Sequence, residues 1–347
     1  MHVDQTTSSI LKRKQNMKQK LIINPIVVSL FTCLVQGQVL AAKPFDTPVS
    51  SDGTAYEYTY VEKGSAGGGI QGSGPTIMKG ESLDSQAEYP AFVLTPSEMA
   101  AFAKKYKPVV PRYAKNRPIA ETVIGTDARY RLYPQESGYP ERAIGLLTFN
   151  QGGGSFICTG WLINATTVAT AGHCVHTGGP GGSWSTNVRF YPARNGASSP
   201  YGSCTAKRLN SVTGWTNSGL EMYDYGTVKL NCSIGNSTGW FGFFWQTATL
   251  NGLPVQVSGY PGDKPSGTQW STSGDIEVSE TAKVRYKNDT AGGQSGGPVF
   301  QTDRVGAYCT GACVNTIHAY GSSGGRNSGT RINQGVYNNL INWRNTP

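Results

Sequence analysis

Charge is scarce in this chain. Asp, Glu, Lys and Arg make up 15% of its 347 residues, and the acidic ones are fewer, 21 against 30 basic, for a formal net charge of +9. Beyond the first forty residues no apolar run is long enough to cross a bilayer as a helix, which argues against a helical membrane protein. Between 122 and 347 no cluster of Lys and Arg is interleaved with aromatics on one element, which argues against a nucleic-acid binder. That region carries 16 Lys and Arg against 11 Asp and Glu, so its surface is mildly basic. Histidine is rare, with four residues, and the cysteine spacings do not match a zinc site, so no metal or cofactor is expected. His173, Cys174 and His176 only mimic a metal cluster. No internal repeat is present. Helical periodicity is almost missing too, confined to Ser97–Tyr106 and a late segment where Val336, Leu340 and Trp343 fall on one face.

The N-terminal third divides in two. Lys12, Arg13, Lys14, Lys18 and Lys20 precede an apolar run centred on 26–35, and Val39-Leu40-Ala41 offers a small-residue cleavage site. Residues 1–42 therefore read as a signal peptide, with Met17 an alternative start and a membrane anchor the competing reading. Export as a secreted, extracellular protein follows. Residues 43–121 hold no catalytic candidate and read as a propeptide or a disordered spacer. In it, Gly64–Gly74 looks like a flexible linker. Ser97–Tyr106 fits a short helix capped at Thr95 or Ser97.

From Thr122 the texture changes. Short runs such as Val188–Tyr191, Thr227–Leu230, Pro254–Ser258, Val284–Lys287 and Val314–His318 alternate apolar and polar residues between glycines. Many short antiparallel strands are implied, hence an all-β barrel or sandwich. Six cysteines remain once Cys33 is lost with the leader, an even number that suits disulfides in an exported chain.

Three stretches carry chemistry. In Gly292-Gly293-Gln294-Ser295-Gly296-Gly297-Pro298 a hydroxyl sits among four glycines, which let a substrate approach the backbone closely. A serine needs a base to become nucleophilic, and histidine titrates near neutrality. Val168-Ala169-Thr170-Ala171-Gly172-His173-Cys174 supplies one. Tyr223-Asp224-Tyr225-Gly226 supplies a carboxylate able to orient the imidazole. Alone, each stretch also reads as a turn or an ordinary buried side chain. Together they give the order His, Asp, Ser of the chymotrypsin-type proteases.

These stretches resemble the chymotrypsin-fold serine proteases, and more closely the secreted bacterial glutamyl endopeptidases. The likeness rests on Thr122–Arg129, Cys158–Ile163, Thr167–Cys174, Tyr223–Gly226, Ser258–Lys264, Gly267–Trp270 and Gly329–Ile332, so it runs from Thr122 almost to the end. It implies two antiparallel six-stranded β-barrels, about 122–235 and about 236–332, with a C-terminal helix at about 333–345. The active-site cleft would lie between them. It also implies catalytic His173, Asp224 and Ser295, an oxyanion hole at the Gly293 and Ser295 amides, and disulfides Cys158–Cys174 and Cys309–Cys313, which leave Cys204 with Cys232. Thr290, His318 and the Thr122 amino group would form a pocket for glutamate, and less well for aspartate, before the scissile bond.

Two alternatives stay open. Asp289 lies where trypsin-like enzymes hold the aspartate that recognises Lys and Arg. A non-catalytic homologue, an adhesin or decoy, would share the fold. The expected partners are polypeptide substrates and the chain's own propeptide, with a monomeric, membrane-free mature form. A cut between Glu121 and Thr122 would release it.

Overall fold

The computed structural model describes residues 44–56, 65–74, 87–111, 121–134, 138–321 and 324–347. The signal peptide expected at 1–42 lies outside them. Among the described residues no helix is long and apolar enough to cross a membrane.

Two closed six-stranded antiparallel β-barrels account for most of the chain. In the first, β6 (Ile144–Gln151), β7 (Gly154–Leu162), β8 (Thr167–Thr170), β9 (Thr186–Pro192), β11 (Cys204–Val212) and β12 (Gly226–Leu230) run in the order β11-β12-β8-β7-β6-β9, and pairing of β11 with β9 closes the ring. In the second, β14 (Pro254–Gly259), β15 (Gln269–Ser279), β16 (Lys283–Tyr286), β17 (Pro298–Arg304), β18 (Gly311–Tyr320) and β19 (Asn327–Arg331) run β17-β14-β15-β16-β19-β18, closed by β17 with β18. Closure removes the edges that would otherwise invite aggregation. β5 (Tyr130–Leu132) pairs with β15, so this early strand attaches to the second barrel, not the first. β13 (Gly242–Gln246) lies parallel to β18.

The alternating runs become strands because their apolar members fill the barrels. Leu147, Cys158, Val168, Phe190, Leu209 and Val228 meet in one core, and Phe244, Val257, Ile276, Val284 and Val299 in another. The C-terminal helix, Gln334–Asn345, is capped by Asn333, whose side chain accepts from the Val336 amide. Val336, Leu340 and Trp343 are buried on its inner face, as their spacing requires. All three cysteine pairs are formed: Cys158–Cys174, Cys204–Cys232 and Cys309–Cys313. The first closes a loop worth about 3 kcal/mol in the chain-entropy account.

Residues before Thr122 are woven into both barrels. β1 (Pro48–Ser50) extends the first through β11, and β4 (Lys107–Pro108) lies parallel to β7, with Lys107 opposite Phe156 and Pro108 opposite Ile157. β3 (Phe92–Val93) pairs with β10 (Ser198–Ser199). The expected helix spans Pro96–Lys105 and is capped at Thr95, one of the two anticipated positions, in a capping box with Glu98 reaching back to the Thr95 amide. The expected linker at Gly64–Gly74 is a different matter. Its centre is β2 (Gly67–Ile70), antiparallel to β13. Its glycines are there for fit: a Cβ on Gly69 would stand 2.1 Å from the Tyr308 carbonyl oxygen, and one on Gly67 2.4 Å from the Tyr308 ring.

Candidate active site

Strand register brings His173 to Asp224. Gly226 of β12 pairs with Thr170 of β8. Asp224 lies two residues before the first, and His173 three after the second. His173 rides on the helical turn Gly172–Val175, pinned to β7 by Cys174–Cys158. Its Nδ1 lies 2.7 Å from Asp224 Oδ2, and its amide donates to Oδ1 at 2.8 Å, so the carboxylate grips ring and backbone together. Both side chains are buried. Tyr320 donates its hydroxyl to the same Asp224 oxygen. Burial and then the Asp224 charge push the Tyr320 phenol well above its usual range, so it stays a donor.

A second register places Ser295. Pro298 of β17 faces Ile317 of β18, and the loop before Pro298 folds back on both barrels. The Thr159 amide donates to the Ser295 carbonyl at 2.8 Å, and the Gly296 amide to the His318 carbonyl at 2.7 Å. Glycine is obligatory at two points. Gly293 has φ +103° and Gly296 φ +85°. A Cβ on the first would lie 2.5 Å from the Tyr260 carbonyl oxygen, and on the second 2.1 Å from Thr170 Oγ1. Among the described residues neither the Gly293 nor the Ser295 amide has an acceptor.

The pocket beside Ser295 is occupied by the chain itself. Ser295 Oγ donates to Glu121 Oε1 at 2.6 Å, and His318 Nε2 lies 3.4 Å from the same oxygen. The Glu121 and His318 side chains are 3% and 0% exposed, so this carboxylate is withdrawn from water. Among the described residues, Thr290 Oγ1, His318 Nε2, His173 Nε2 and Glu121 Oε2 are buried with no hydrogen-bond partner. Ser295 therefore faces Glu121 and not the imidazole. Thr122 is adjacent: its amide donates to Asn327 Oδ1 at 3.1 Å, and its carbonyl accepts from Asn327 Nδ2 at 2.6 Å and from the Thr290 amide at 3.3 Å.

Asp289 is turned away from that pocket. Its Oδ1 accepts from the Ile124 amide at 2.6 Å and its Oδ2 from the Ala128 amide at 2.8 Å. Both oxygens are committed to residues 122–128. Arg129 completes the clamp through Asp127 and Asp263. Burial opposes the Arg129 charge, but the two carboxylates outweigh it and hold the guanidinium protonated.

Residues 158–306 match the model of the trypsin-like peptidase domain. The chain is 39% identical over 338 residues to the glutamyl endopeptidase of Bacillus licheniformis, spanning 96% of this chain and 98% of that one. It belongs to the glutamyl endopeptidase family. It is a serine endopeptidase with the chymotrypsin-like fold. A solved Glu endopeptidase, in complex with MPD, superposes with a TM-score of 0.56 at 28% identity, covering 65% of this chain and all of that one. A Bacillus subtilis protein named extracellular metalloprotease is 40% identical over 227 residues, 65% of this chain and 70% of that one.

In this endopeptidase the tightest grouping of metal-type ligands, among the described residues, is Cys158, His173 and Cys174. Its two sulfurs are joined to each other, so neither is a thiolate able to bind metal. Sequence reading missed Tyr286, Tyr320, Asn327 and the seat of Glu121. Tyr286 donates to or accepts from His318 Nδ1 at 2.6 Å, across 32 residues. No local signal marks such a pair.

Proposed function

We propose that residues 122–347 form a secreted endopeptidase that cleaves after glutamate, and after aspartate more slowly, through an acyl-enzyme. Ser295 Oγ attacks the scissile carbonyl. His173 takes its proton and returns it to the leaving amine, while Asp224 holds the imidazole and stabilises the imidazolium. The amides of Gly293 and Ser295 receive the oxyanion. Losing one such donor typically costs on the order of a hundredfold in rate. Water then attacks the acyl-enzyme by the same route.

The glutamate preference rests above all on one observation. The carboxylate of Glu121 is already seated, shielded from water, beside His318 Nε2 and Ser295 Oγ. A buried carboxylate needs donors to offset its desolvation. His318 Nε2 lies beside that carboxylate, Thr290 Oγ1 is a second buried group with no described partner to satisfy it, and after cleavage the Thr122 ammonium would sit beside Asn327. The trypsin-like alternative needs Asp289 in the pocket, and its two oxygens are taken by Ile124 and Ala128. The decoy reading has no missing triad member to stand on.

On this reading residues 1–42 are a signal peptide and 43–121 a propeptide, removed at Glu121–Thr122. A digest of an unstructured protein, read by mass spectrometry, tests the assignment. Glutamate should precede most cuts, and the enzyme's own N-terminus should be Thr122. Cuts mainly after Lys and Arg would overturn the specificity. Failure of a serine-directed phosphonate to label Ser295 would favour the decoy.

A further inference from the structure

We infer that Tyr286 is a specificity-determining positioning residue, which makes His318 a hydrogen-bond donor toward the substrate carboxylate. The inference rests on the glutamate-pocket reading above and names the part of that pocket that reads charge.

His318 and Tyr286 stand on neighbouring walls. His318 projects from β18 and Tyr286 from β16, and β19 separates the two strands. Both are fully buried. The Tyr286 hydroxyl lies 2.6 Å from His318 Nδ1, and the rings are 5.9 Å apart between centroids. The far nitrogen, Nε2, faces the Glu121 carboxylate. One ring nitrogen thus meets a fixed phenol and the other meets the ligand.

A neutral imidazole carries its proton on one nitrogen only, and the hydrogen bond at one nitrogen selects the proton's place at the other. To meet a carboxylate, Nε2 must carry a proton. Nδ1 is then a lone pair and needs a donor. Tyr286 is that donor. Burial and then the Glu121 charge hold its phenol well above the ordinary range, so it keeps its proton. If the ring takes a second proton, the same hydroxyl oxygen can accept from Nδ1. In both charge states Nε2 presents a proton. The pocket therefore welcomes an anion and repels a donor group such as the lysine ammonium.

Without the hydroxyl this selection is lost. Tyr286→Phe keeps the ring but leaves Nδ1 without its donor. The imidazole is then free to move its proton to Nδ1 and offer a lone pair at Nε2. That lone pair repels glutamate and accepts from the amide of glutamine. Tyr286 touches no reacting atom, so turnover of an uncharged substrate should not depend on it.

The test compares the processed enzyme with its Tyr286→Phe variant on two peptides differing only in Glu or Gln before the scissile bond. Active sites are counted with an irreversible serine reagent, so unfolded protein does not enter kcat. The Glu-over-Gln ratio in kcat/KM should fall by about tenfold or more, the size of one charge-assisted hydrogen bond. The loss should lie mainly in a higher KM for Glu, with Gln turnover held or improved. Nitrogen-15 NMR of His318 should show the Nε2–H tautomer in the wild-type enzyme and a shift toward Nδ1–H in the variant. Equal losses on both peptides, or an unchanged ratio, would overturn the inference. If the unmodified enzyme itself fails to prefer Glu over Gln, the pocket reading falls instead.

Discussion

Ser295 Oγ donates to the side-chain carboxylate of Glu121, the residue just before the proposed cut. The hydroxyl proposed as nucleophile is thus engaged by a side-chain carboxylate. Meanwhile the Thr122 amide is already bound to Asn327. Lys107–Pro108 adds to the block by pairing with β7, and Pro108 lies against Gly262 and Gly292 beside the Ser295 loop.

Activation should therefore be intermolecular. Purified full-length protein should release the Thr122 N-terminus only after a lag, and a trace of active enzyme should abolish the lag, because the precursor's own Ser295 is held by Glu121. A Ser295→Ala precursor should stay whole alone and be cut at Glu121 by added active enzyme. A first-order rate independent of concentration would show the cut to be internal.

Asp289→Asn separates the two pocket readings. In this structure the carboxylate anchors residues 122–128, so the variant replaces one of two acceptors with an amide that opposes an N–H. A loss of about 1.5–3 kcal/mol is expected in urea unfolding. Glu cleavage should fall with it, and Lys or Arg cleavage should be negligible both before and after. A wild-type activity on Lys that disappears in the variant would place Asp289 in the pocket.

Much of this was legible in the sequence, for a physical reason. His173, Asp224 and Ser295 sit in tight turns next to strands, so their motifs are local and survive without tertiary information. The alternating strands were readable because each buries one face. What stayed hidden was contact between distant residues: Tyr320 with Asp224 across 96 positions, and Tyr286 with His318. The direction of Asp289 was equally invisible, since it depends on amides 165 and 161 residues away. Gly67–Ile70 misled because a side chain's absence looks like flexibility, while here it answers the crowding of Tyr308 and Trp245.

That crowding gives a clean prediction. Gly69→Ala should destabilise the precursor by about 1–3 kcal/mol, the usual cost of overpacking, seen as earlier thermal unfolding of a Ser295→Ala background. Enzyme cut at the proposed Glu121–Thr122 site, and so without residue 69, should melt unchanged. Equal melting of the two precursors would mean that β2 contributes nothing to the fold.

His176 sets an acid limit. Burial lowers its pKa to about 4, against an unfolded value of about 6.5. Its Nδ1 accepts from the Gly178 amide at 3.0 Å, which requires the neutral ring. The unfolded chain binds this proton first as pH falls. Stability from this site is thus full above about 6.5 and is lost as pH drops toward 4. Melting temperatures measured from pH 7 to pH 4 should fall, and His176→Asn, whose side-chain oxygen can replace Nδ1, should flatten that slope. An unchanged slope would remove His176 from the account.

Kinetics on matched peptides decide what residue the site accepts. The processed enzyme is assayed on four peptides that differ only in Glu, Asp, Lys or Phe before the scissile bond. A glutamate pocket gives the highest kcat/KM for Glu, a lower one for Asp, and little turnover for Lys or Phe, all abolished in Ser295→Ala. A higher kcat/KM for Lys than for Glu would contradict it.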